Sequence, residues 1–286
     1  MRKPLLFALG GALCVLLLWA ARPNVVVTVR YVSSAPPPAL PGVAFTARYV
    51  RNGTARSPVI RDAPEGWAER RRIAAAQAAR QVRTVETPGR FFFQSNWEPS
   101  VACAYERRLG SPGEGGKWVC DPHRLTGKVV VYSVGSKNEF SFEQAVRDVF
   151  GARAEIHTFD PGEPAGVPAY VTYHRYAVGA DHPLTAILEE LGHARVDVLK
   201  IDVEGSEYEV MHAAKVGGAL ARVDQIQVEV HLLPDVYGDT GPMDPSRVHA
   251  LMIDLNAADF EIFHKESNTL ASGDACEFSL VRVTWS

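Results

Sequence analysis

Residues 196–231, VDVLKIDVEGSEYEVMHAAKVGGALARVDQIQVEVH, contain two apolar strands with a helix between them. The strands are predicted over VDVLKID and QIQVEVH, and the helix over EYEVMHAAKV. Strands that are apolar throughout and joined through a helix are typical of a parallel sheet that is buried on both faces. This stretch therefore predicts an α/β fold with helices on both faces of a mostly parallel sheet.

The same alternation continues on both sides of this stretch. Three strands and two helices are predicted before it: KVVVYSVG, SFEQAVRDVF, EIHTFD, YVTYHRYAV and PLTAILEEL. After it, Asp244-Pro245 opens a helix, and the strands EIFHKE and EFSLVRV follow without a helix between them. The last two strands predict a terminal antiparallel hairpin on a doubly wound sheet. Ligands of such sheets bind beyond the carboxyl ends of the strands, so the residues directly after each strand are the candidates for function.

The first two strands end in residues that suit a nucleoside. Gly135 follows the first strand between Ser133 and Ser136, where a glycine lets a ligand approach the backbone. Asp160 follows the second strand, 25 residues after Gly135, at a spacing that places an acid near a ribose diol. A tight turn and an Asx turn are the structural alternatives. Together the two features predict a nucleoside-containing cofactor.

Four ionisable residues follow the next two central strands. Asp202 and Glu204 close the strand VDVLKID, and they share one side of it if the strand persists. Glu229 and His231 close QIQVEVH in the same way. If the strands are neighbours, the four side chains converge on a divalent metal, or His231 serves as a base for a substrate hydroxyl. Helix capping and a plain salt-bridged cluster are the alternatives.

The N-terminal quarter has a different composition from the rest. The whole chain of 286 residues is 47% hydrophobic and 22% charged, with a net charge of −3, which gives no electrostatic indication of nucleic-acid binding. Residues 5–21 are uncharged and follow Arg2 and Lys3, so a signal anchor is predicted over residues 1–22, with a cleaved signal peptide as the alternative.

A proline-rich stem is predicted over residues 23–88, ending in a basic helix over residues 67–83. Asn52-Gly53-Thr54 is a glycosylation acceptor in this stem. Residues 89–286 remain for the α/β domain. In an oxidising compartment Cys103 and Cys120 could form a disulfide that leaves Cys276 free, and pairing of Cys276 with one of them is the alternative.

Several stretches resemble the family of methyltransferase-like protein 24, a branch of the class I S-adenosylmethionine-dependent methyltransferases related to the FkbM type. They are GKWVCDPHRL, VVVYSVGSKNEFSFEQAV, HTFDPGEP, LGHARVDVLKIDVEGSEYEV and QIQVEVHL, within roughly residues 92–283. The resemblance implies a Rossmann-like sheet of seven strands in the order 3-2-1-4-5-7-6. It also implies that Ser133, Gly135, Ser136 and Asp160 bind the cofactor, with Ala177 near the adenine and Asp202 near the methionine amino group or the transferred methyl.

The resemblance implies S-adenosylmethionine-dependent methyl transfer. Because the predicted anchor places the domain in the lumen, the expected reaction is O-methylation of a hydroxyl on a small molecule or a glycan. His231, Asp202 and Glu229 are the expected catalytic residues, and Asp202, Glu204, Glu229 and His231 are a candidate set of divalent-metal ligands. The anchor predicts a single-pass type II protein of the Golgi or endoplasmic reticulum lumen, or a secreted protein after cleavage. No nucleic-acid partner is expected. A catalytically inactive binding or partner module of the same fold is the competing hypothesis.

Overall fold

The computed structural model describes most of the α/β part of the chain and some shorter segments before it. The described residues are 5–9, 12–16, 55–80, 92–113, 115–232, 244–268 and 274–285. The strands are β1 (Leu5–Leu9), β2 (Ala12–Leu16), β3 (Ala55–Arg56), β4 (Glu106–Leu109), β5 (Lys117–Cys120), β6 (Val129–Val134), β7 (Ala154–Phe159), β8 (Val171–His174), β9 (Val198–Ile201), β10 (Gln225–His231), β11 (Phe260–Asn268), β12 (Ala275–Arg282) and β13 (Thr284–Trp285). The α-helices are α1 (Pro64–Arg80), α2 (Phe92–Ser95), α3 (Ser141–Phe150), α4 (Leu184–Glu190), α5 (Glu207–Val216) and α6 (Pro245–Ala257).

Seven strands form the central sheet, in the order β11-β12-β10-β9-β6-β7-β8. The pairs β6–β7, β7–β8, β6–β9 and β9–β10 are parallel, whereas β12 is antiparallel to both β10 and β11. Numbered from β6 as the first strand, this is the order 3-2-1-4-5-7-6. The predicted fold class, strand order and terminal hairpin are confirmed.

Each face of the sheet is covered by its own apolar core. One core contains Ile187 and Leu188 of α4, Val210 and Met211 of α5, and four residues of α6. The other core contains Phe142 and Val146 of α3 and residues of the β4–β5 hairpin. Because helices bury both faces, only the edges at the strand ends can present polar side chains to a ligand.

The helix boundaries follow local signals, with one exception. Asp244 caps α6 by accepting a hydrogen bond from the Ser246 N–H at 3.0 Å, and Gly151 ends α3 with a φ of 61°. The N-cap residue of α3, Phe140, makes no capping hydrogen bond with its side chain, and Glu139 Oε1 accepts from the Ser141 N–H at 2.9 Å. Ser141 Oγ accepts a hydrogen bond from the Ser111 N–H at 3.0 Å, which ties α3 to the loop after β4.

The N-terminal apolar segment is described over residues 5–9 and 12–16. Where the sequence predicts an anchor helix within residues 1–22, the described residues form two strands, β1 and β2, that pair antiparallel. Among the residues that the structure describes, no helix has both the length and the apolarity needed to cross a membrane. Most of the stem, including Asn52, lies outside the described residues.

The basic helix is confirmed as α1, three residues earlier at each end than predicted. It contacts the α/β part, since Arg70 Nη1 donates to the Ala102 carbonyl and Ala74 is buried in the core beneath α3. Strand β3 also pairs with β13 near the C-terminus. Contacts therefore cross the boundary that the sequence predicts between residues 88 and 89.

The β4–β5 hairpin precedes the alternating α/β part of the chain, and its Lys117 reaches Asp202 at the end of β9. A disulfide joins Cys103 to Cys120 at the end of β5, and Cys276 is a free, buried thiol. The first of the two predicted cysteine arrangements is thus confirmed. The side chain of Gln225 bonds both the N–H and the carbonyl of Cys120, at 2.8 and 3.0 Å, which fixes β5 against β10.

Candidate functional site

The loop after β6 lies in close contact with the end of β9. Gly135 has a φ of +82°, and a Cβ placed there would lie 1.8 Å from the Asp202 carbonyl oxygen. Its N–H donates to the Phe159 carbonyl at 2.9 Å, and its own carbonyl accepts from Lys200 Nζ at 2.6 Å. Only glycine fits this position, so the ends of three neighbouring strands meet here at backbone distance.

Asp160 organises the same loop from the end of β7. Its Oδ2 accepts hydrogen bonds from the N–H and Oγ of Ser136, at 2.7 and 3.0 Å, and from the Lys137 N–H at 2.9 Å. Among the described residues its Oδ1 accepts only the Gly162 N–H, at 2.8 Å, which is the Asx turn considered as the alternative. Burial works against ionisation, but the bonds from Ser136, Gly162 and Lys137 lower the pKa of Asp160 overall. An ionised carboxylate with free acceptor capacity on Oδ1 therefore faces this edge.

The other two predicted cofactor residues differ in their accessibility. Ala177 is exposed in the turn after β8, close in sequence to Tyr176, whose ring lies 5.8 Å from that of Phe159. Ser133 is completely buried inside the sheet, and its Oγ has no hydrogen-bond partner in the part of the chain that the structure describes. The structure thus brings Gly135, Ser136 and Asp160 together at the strand ends and keeps Ser133 away from any open surface.

Asp202 lies beyond β9 and shares a buried ammonium group with an acid of the terminal hairpin. Lys117 Nζ of β5 lies 3.1 Å from Asp202 Oδ2 and forms an ion pair with Glu277 of β12. Glu277 stands directly opposite Glu229 in the β10–β12 pairing. One oxygen from each of the three acids lies within 4.8 Å of the others. We call these four residues the acid–lysine cluster.

The charges in the acid–lysine cluster are unevenly distributed. Burial disfavours the Asp202 carboxylate, but Lys117 and Lys200 hold the pKa of Asp202 well below its usual range. Burial, with the charges of Glu277 and Asp202, raises the pKa of Glu229 to about 8. The pKa of Glu277 is also raised, chiefly by burial. At neutral pH the cluster therefore contains an ionised Asp202 beside a protonated Glu229.

His231 belongs to a second group of charges next to the first. Glu207 Oε1, completely buried at the start of α5, accepts from the His231 N–H at 2.8 Å and lies 3.3 Å from its Nδ1. Glu204 Oε2 lies 3.5 Å from His231 Nε2, and Glu204 Oε1 accepts from Lys137 Nζ at 2.6 Å. Burial lowers the pKa of His231, but the Glu207 hydrogen bond and the charges of Glu207, Glu229 and Glu204 outweigh it and raise that pKa to about 9.

The four predicted metal ligands therefore do not form one group. Strand β9 ends at Ile201, and Glu204 adopts a φ of 53° in the following turn, so alternation along the strand does not apply to it. Asp202 and Glu229 join Lys117, whereas Glu204 and His231 join Glu207. Asp202, Glu204, Glu229 and His231 are thus divided between two groups, because the strand ends early and Lys117 lies among the acids. Metal binding by these four residues stays a prediction.

Sequence reasoning missed Lys117, Glu277 and Glu207. Glu207 lies in the DVEGSE stretch, and its place at the first turn of a helix was a usable signal. Lys117 had no such signal, because β5 precedes the alternating pattern. Glu277 had none either, because local sequence does not show that β12 pairs with β10.

This edge of the sheet is compatible with S-adenosylmethionine. The Asp160 carboxylate retains acceptor capacity for a ribose hydroxyl, and a single glycine turn suits a cofactor that has no pyrophosphate. The antiparallel strand inserted between the fifth and sixth strands differs from the dinucleotide-binding order 3-2-1-4-5-6. The fold and this edge place the protein among the class I methyltransferases.

Comparison with known proteins agrees with this class. The model of a family described as a methyltransferase domain matches residues 60–282, and the chain belongs to that family. Two curated relatives are named probable methyltransferase-like protein 24. The human protein is 31% identical over 131 residues, 38% of this chain and 36% of its own length. The rat protein is 28% identical over 156 residues, 47% of this chain and 42% of its own length.

The chain thus spans less than half the length of these curated relatives. Among solved structures, a Burkholderia thailandensis 1,6-didemethyltoxoflavin-N1-methyltransferase with bound S-adenosylhomocysteine superposes with a TM-score of 0.35. It is 14% identical and covers 55% of this chain and 72% of its own. The predicted resemblance to the methyltransferase-like protein 24 family is confirmed, and S-adenosylmethionine is the cofactor of the class.

Proposed function

We propose that this protein transfers a methyl group from S-adenosylmethionine to a hydroxyl group of a small molecule or a glycan. The observation that carries the proposal is the pair formed by Asp202 and Glu229, beside the loop of Gly135 at the edge where Asp160 lies. Within this pair an ionised acid stands next to an acid whose pKa is raised to about 8. Glu229 can accept a proton once it has ionised, so the pair is suited to general-base chemistry at about pH 8 and above.

In this proposal the cofactor is held by the ends of the first three strands. Asp160 Oδ1 accepts a ribose hydroxyl, the Gly135 loop with Ser136 lies against the ribose and methionine, and the turn at Ala177 borders the adenine. Asp202 would lie near the methionine amino group or the transferred methyl. Bound there, S-adenosylmethionine supplies a methyl group on a positively charged sulfur that accepts the electrons of the broken carbon–sulfur bond.

The chain's own contribution is alignment and removal of one proton. The acceptor oxygen must lie in line with the methyl carbon, and its proton must leave as the new oxygen–carbon bond forms. Asp202, whose side chain is 19% exposed, would orient the hydroxyl. Glu229 Oε1 accepts a hydrogen bond of 2.7 Å from Asn268 Nδ2. In its ionised form Glu229 would take up the hydroxyl proton by way of Asp202.

His231 has a different role in this proposal from the base predicted by sequence. With a pKa near 9 it is a cation at neutral pH and has no lone pair to accept a proton. Its positive charge, buried between Glu207 and Glu204, would position Glu204 and offset negative charge at this edge. A divalent metal at Asp202 and Glu229 would have to displace Lys117, so no step of the proposal depends on one.

Transfer of a labelled methyl group from S-adenosylmethionine tests the hydroxyl proposal. The full chain is incubated with pools of oligosaccharides, phenolic small molecules and RNA, and Glu229→Gln serves as the matched variant. The proposal predicts label in a hydroxyl acceptor that falls by a factor of about 10² or more in Glu229→Gln. Label confined to RNA would overturn the choice of acceptor and the expectation of no nucleic-acid partner. Cofactor binding without any transfer would favour the non-catalytic module.

We also propose that the protein is anchored by its first 22 residues, with the α/β domain in the lumen of the Golgi or endoplasmic reticulum. The Cys103–Cys120 disulfide supports an oxidising compartment. Glycosidase-sensitive mass that disappears in Asn52→Gln would support a luminal stem. Carbonate extraction of membranes distinguishes an anchored chain from a secreted one. Digestion of the α/β domain by protease added to intact vesicles would contradict the proposal.

A further inference from the structure

A second cluster of ligand-type side chains lies away from the edge described above. Glu155 and His157 are the second and the fourth of the six residues of β7, whereas Asp160 follows its carboxyl end. His193 lies in the loop between α4 and β9, which leads into the amino end of β9. Glu155 and His157 point to one face of β7 because they are two residues apart.

The distances in this cluster suit a small divalent cation. His193 Nε2 lies 3.1 Å from Glu155 Oε2, and His157 Nε2 lies 3.6 Å from Glu155 Oε1. One ligand atom from each residue lies within 4.8 Å of the other two. Tetrahedral Zn²⁺ with bonds of about 2.0 to 2.1 Å separates its ligand atoms by about 3.3 to 3.4 Å. The three ligand atoms, each within 4.8 Å of the other two, would have to move closer together to occupy three corners of such a site.

Both histidines are also held in the way that metal-bound histidines usually are. His193 Nδ1 is hydrogen-bonded to the hydroxyl of Tyr132, which is fully buried, at 2.7 Å. His157 Nδ1 is hydrogen-bonded to His174 Nε2 at 2.9 Å. The second ring nitrogen of a ligating histidine generally bonds such an outer partner, which fixes the ring and its tautomer. In each histidine the remaining nitrogen, Nε2, is directed at Glu155.

The unused Nε2 of His157 is independent evidence for a ligand at this cluster. The side chain of His157 is 7% exposed, and its Nε2 has no hydrogen-bond partner among the described residues. A buried imidazole with an unused ring nitrogen is available to bind a metal ion.

We propose that Glu155, His157 and His193 form a Zn²⁺ site with water at the fourth position, separate from the methyl-transfer site. Lys128 Nζ now pairs with Glu155 Oε2, and the two compete for that carboxylate. The Lys128 side chain is 61% exposed, so it can turn into solvent when the metal binds. The side chain of Glu155, 33% exposed, provides the access path and the open position. The metal would join β7 to the loop that leads into β9.

Zn²⁺ titration of the full chain tests the site. Calorimetry is done on wild type, His193→Gln and Glu155→Gln, with His212→Gln, an exposed histidine of α5, as the matched control. We expect one equivalent bound by wild type and by the control, and an affinity at least about 100-fold lower in the two ligand variants. No uptake by wild type, or equal affinity in correctly folded ligand variants, would overturn the proposal.

Two further variants keep the test independent of folding defects. Tyr132→Phe removes only the hydroxyl that holds His193, so Zn²⁺ affinity should fall about 10- to 100-fold. Lys128→Met removes the competing ammonium, so affinity should stay equal or rise. A lower Zn²⁺ affinity in Lys128→Met would overturn the site. Loss of Zn²⁺ binding in Asp202→Asn, together with retained binding in His193→Gln, would place the metal elsewhere and also overturn it. Co²⁺ absorption in the visible range would confirm tetrahedral coordination in wild type.

Discussion

Gly135 is the residue on which the geometry of the cofactor edge depends most directly. Its φ of +82° favours glycine, and its missing Cβ leaves room for the Asp202 carbonyl. Gly127 has a φ of +72° but no atom within 4 Å of the position of a Cβ, so it is a matched control. We expect Gly127→Ala to cost about 1 to 2 kcal/mol of unfolding free energy from backbone strain alone. Gly135→Ala should cost more and abolish S-adenosylmethionine binding, as measured by denaturant unfolding and calorimetry.

Glu229 sets the expected pH dependence of methyl transfer. As a base it must be deprotonated, so kcat/KM should rise with pH through about 8 and level off above it. Glu229→Gln should remove this rise and lower kcat by about 10² to 10⁴. The exposed Glu190→Gln on α4 is the control and should keep the wild-type profile. A rise through pH 8 that persists in Glu229→Gln would assign the proton transfer to another group.

His231 links stability to pH in a defined direction. Its folded pKa, about 9, lies above the ordinary histidine pKa of 6.5, so its stabilisation is complete below pH 6.5 and is lost as pH rises through 9. The loss is on the order of 3 kcal/mol for a shift of this size. Unfolding free energies of wild type should therefore fall between pH 6.5 and 9 more steeply than those of His231→Gln. His212→Gln should follow wild type, and identical slopes in all three proteins would contradict the raised pKa.

At the scale of elements, β5 stabilises the site through one side chain. Lys117 is the ammonium group that offsets three acids carried by β9, β10 and β12. Lys117→Met should cost about 3 to 5 kcal/mol at pH 8, because it leaves buried carboxylates unpaired. The cost should shrink at pH 5, where the acids can bind protons, and in the double variant with Glu277→Gln. Denaturant unfolding at both pH values measures it, and a cost that does not change with pH would count against this arrangement.

The same elements show how far the sequence could predict the structure. Strands β6, β7, β9 and β10 and helices α3 and α5 lie within a residue or two of their predicted bounds, because they carry continuous apolar runs or helical spacing. The partners of their end residues were not predictable. Lys117 lies outside the alternating pattern, and the turn at Glu204 departs from the strand alternation that predicted one convergent group. Pairing at the strand ends depends on turn geometry and on distant elements, which local patterns do not encode.

Considered as a whole molecule, the α/β part has two groups of side chains with different chemistry. The carboxyl-terminal edge gathers Gly135, Asp160 and the acid–lysine cluster, in keeping with the cofactor of the class. The second cluster joins Glu155 and His157 of β7 to His193 in the loop that leads into the amino end of β9. The segment that includes α1 contacts the α/β part, and the family match beginning at residue 60 includes this helix. The sequence predicted the carboxyl-terminal edge and its cofactor, whereas the second cluster appeared only when β7 and the loop after α4 were brought together.

Calorimetric titration of the full chain with S-adenosylmethionine tests the central claim most directly, with Asp160→Asn as the variant. The account predicts that wild type binds one equivalent. Asp160→Asn keeps the shape but loses the charge, so its affinity should be roughly 10- to 100-fold lower, the worth of a charged hydrogen bond. Absence of binding by folded wild-type protein at high micromolar cofactor would contradict the account, as would an unchanged affinity in Asp160→Asn.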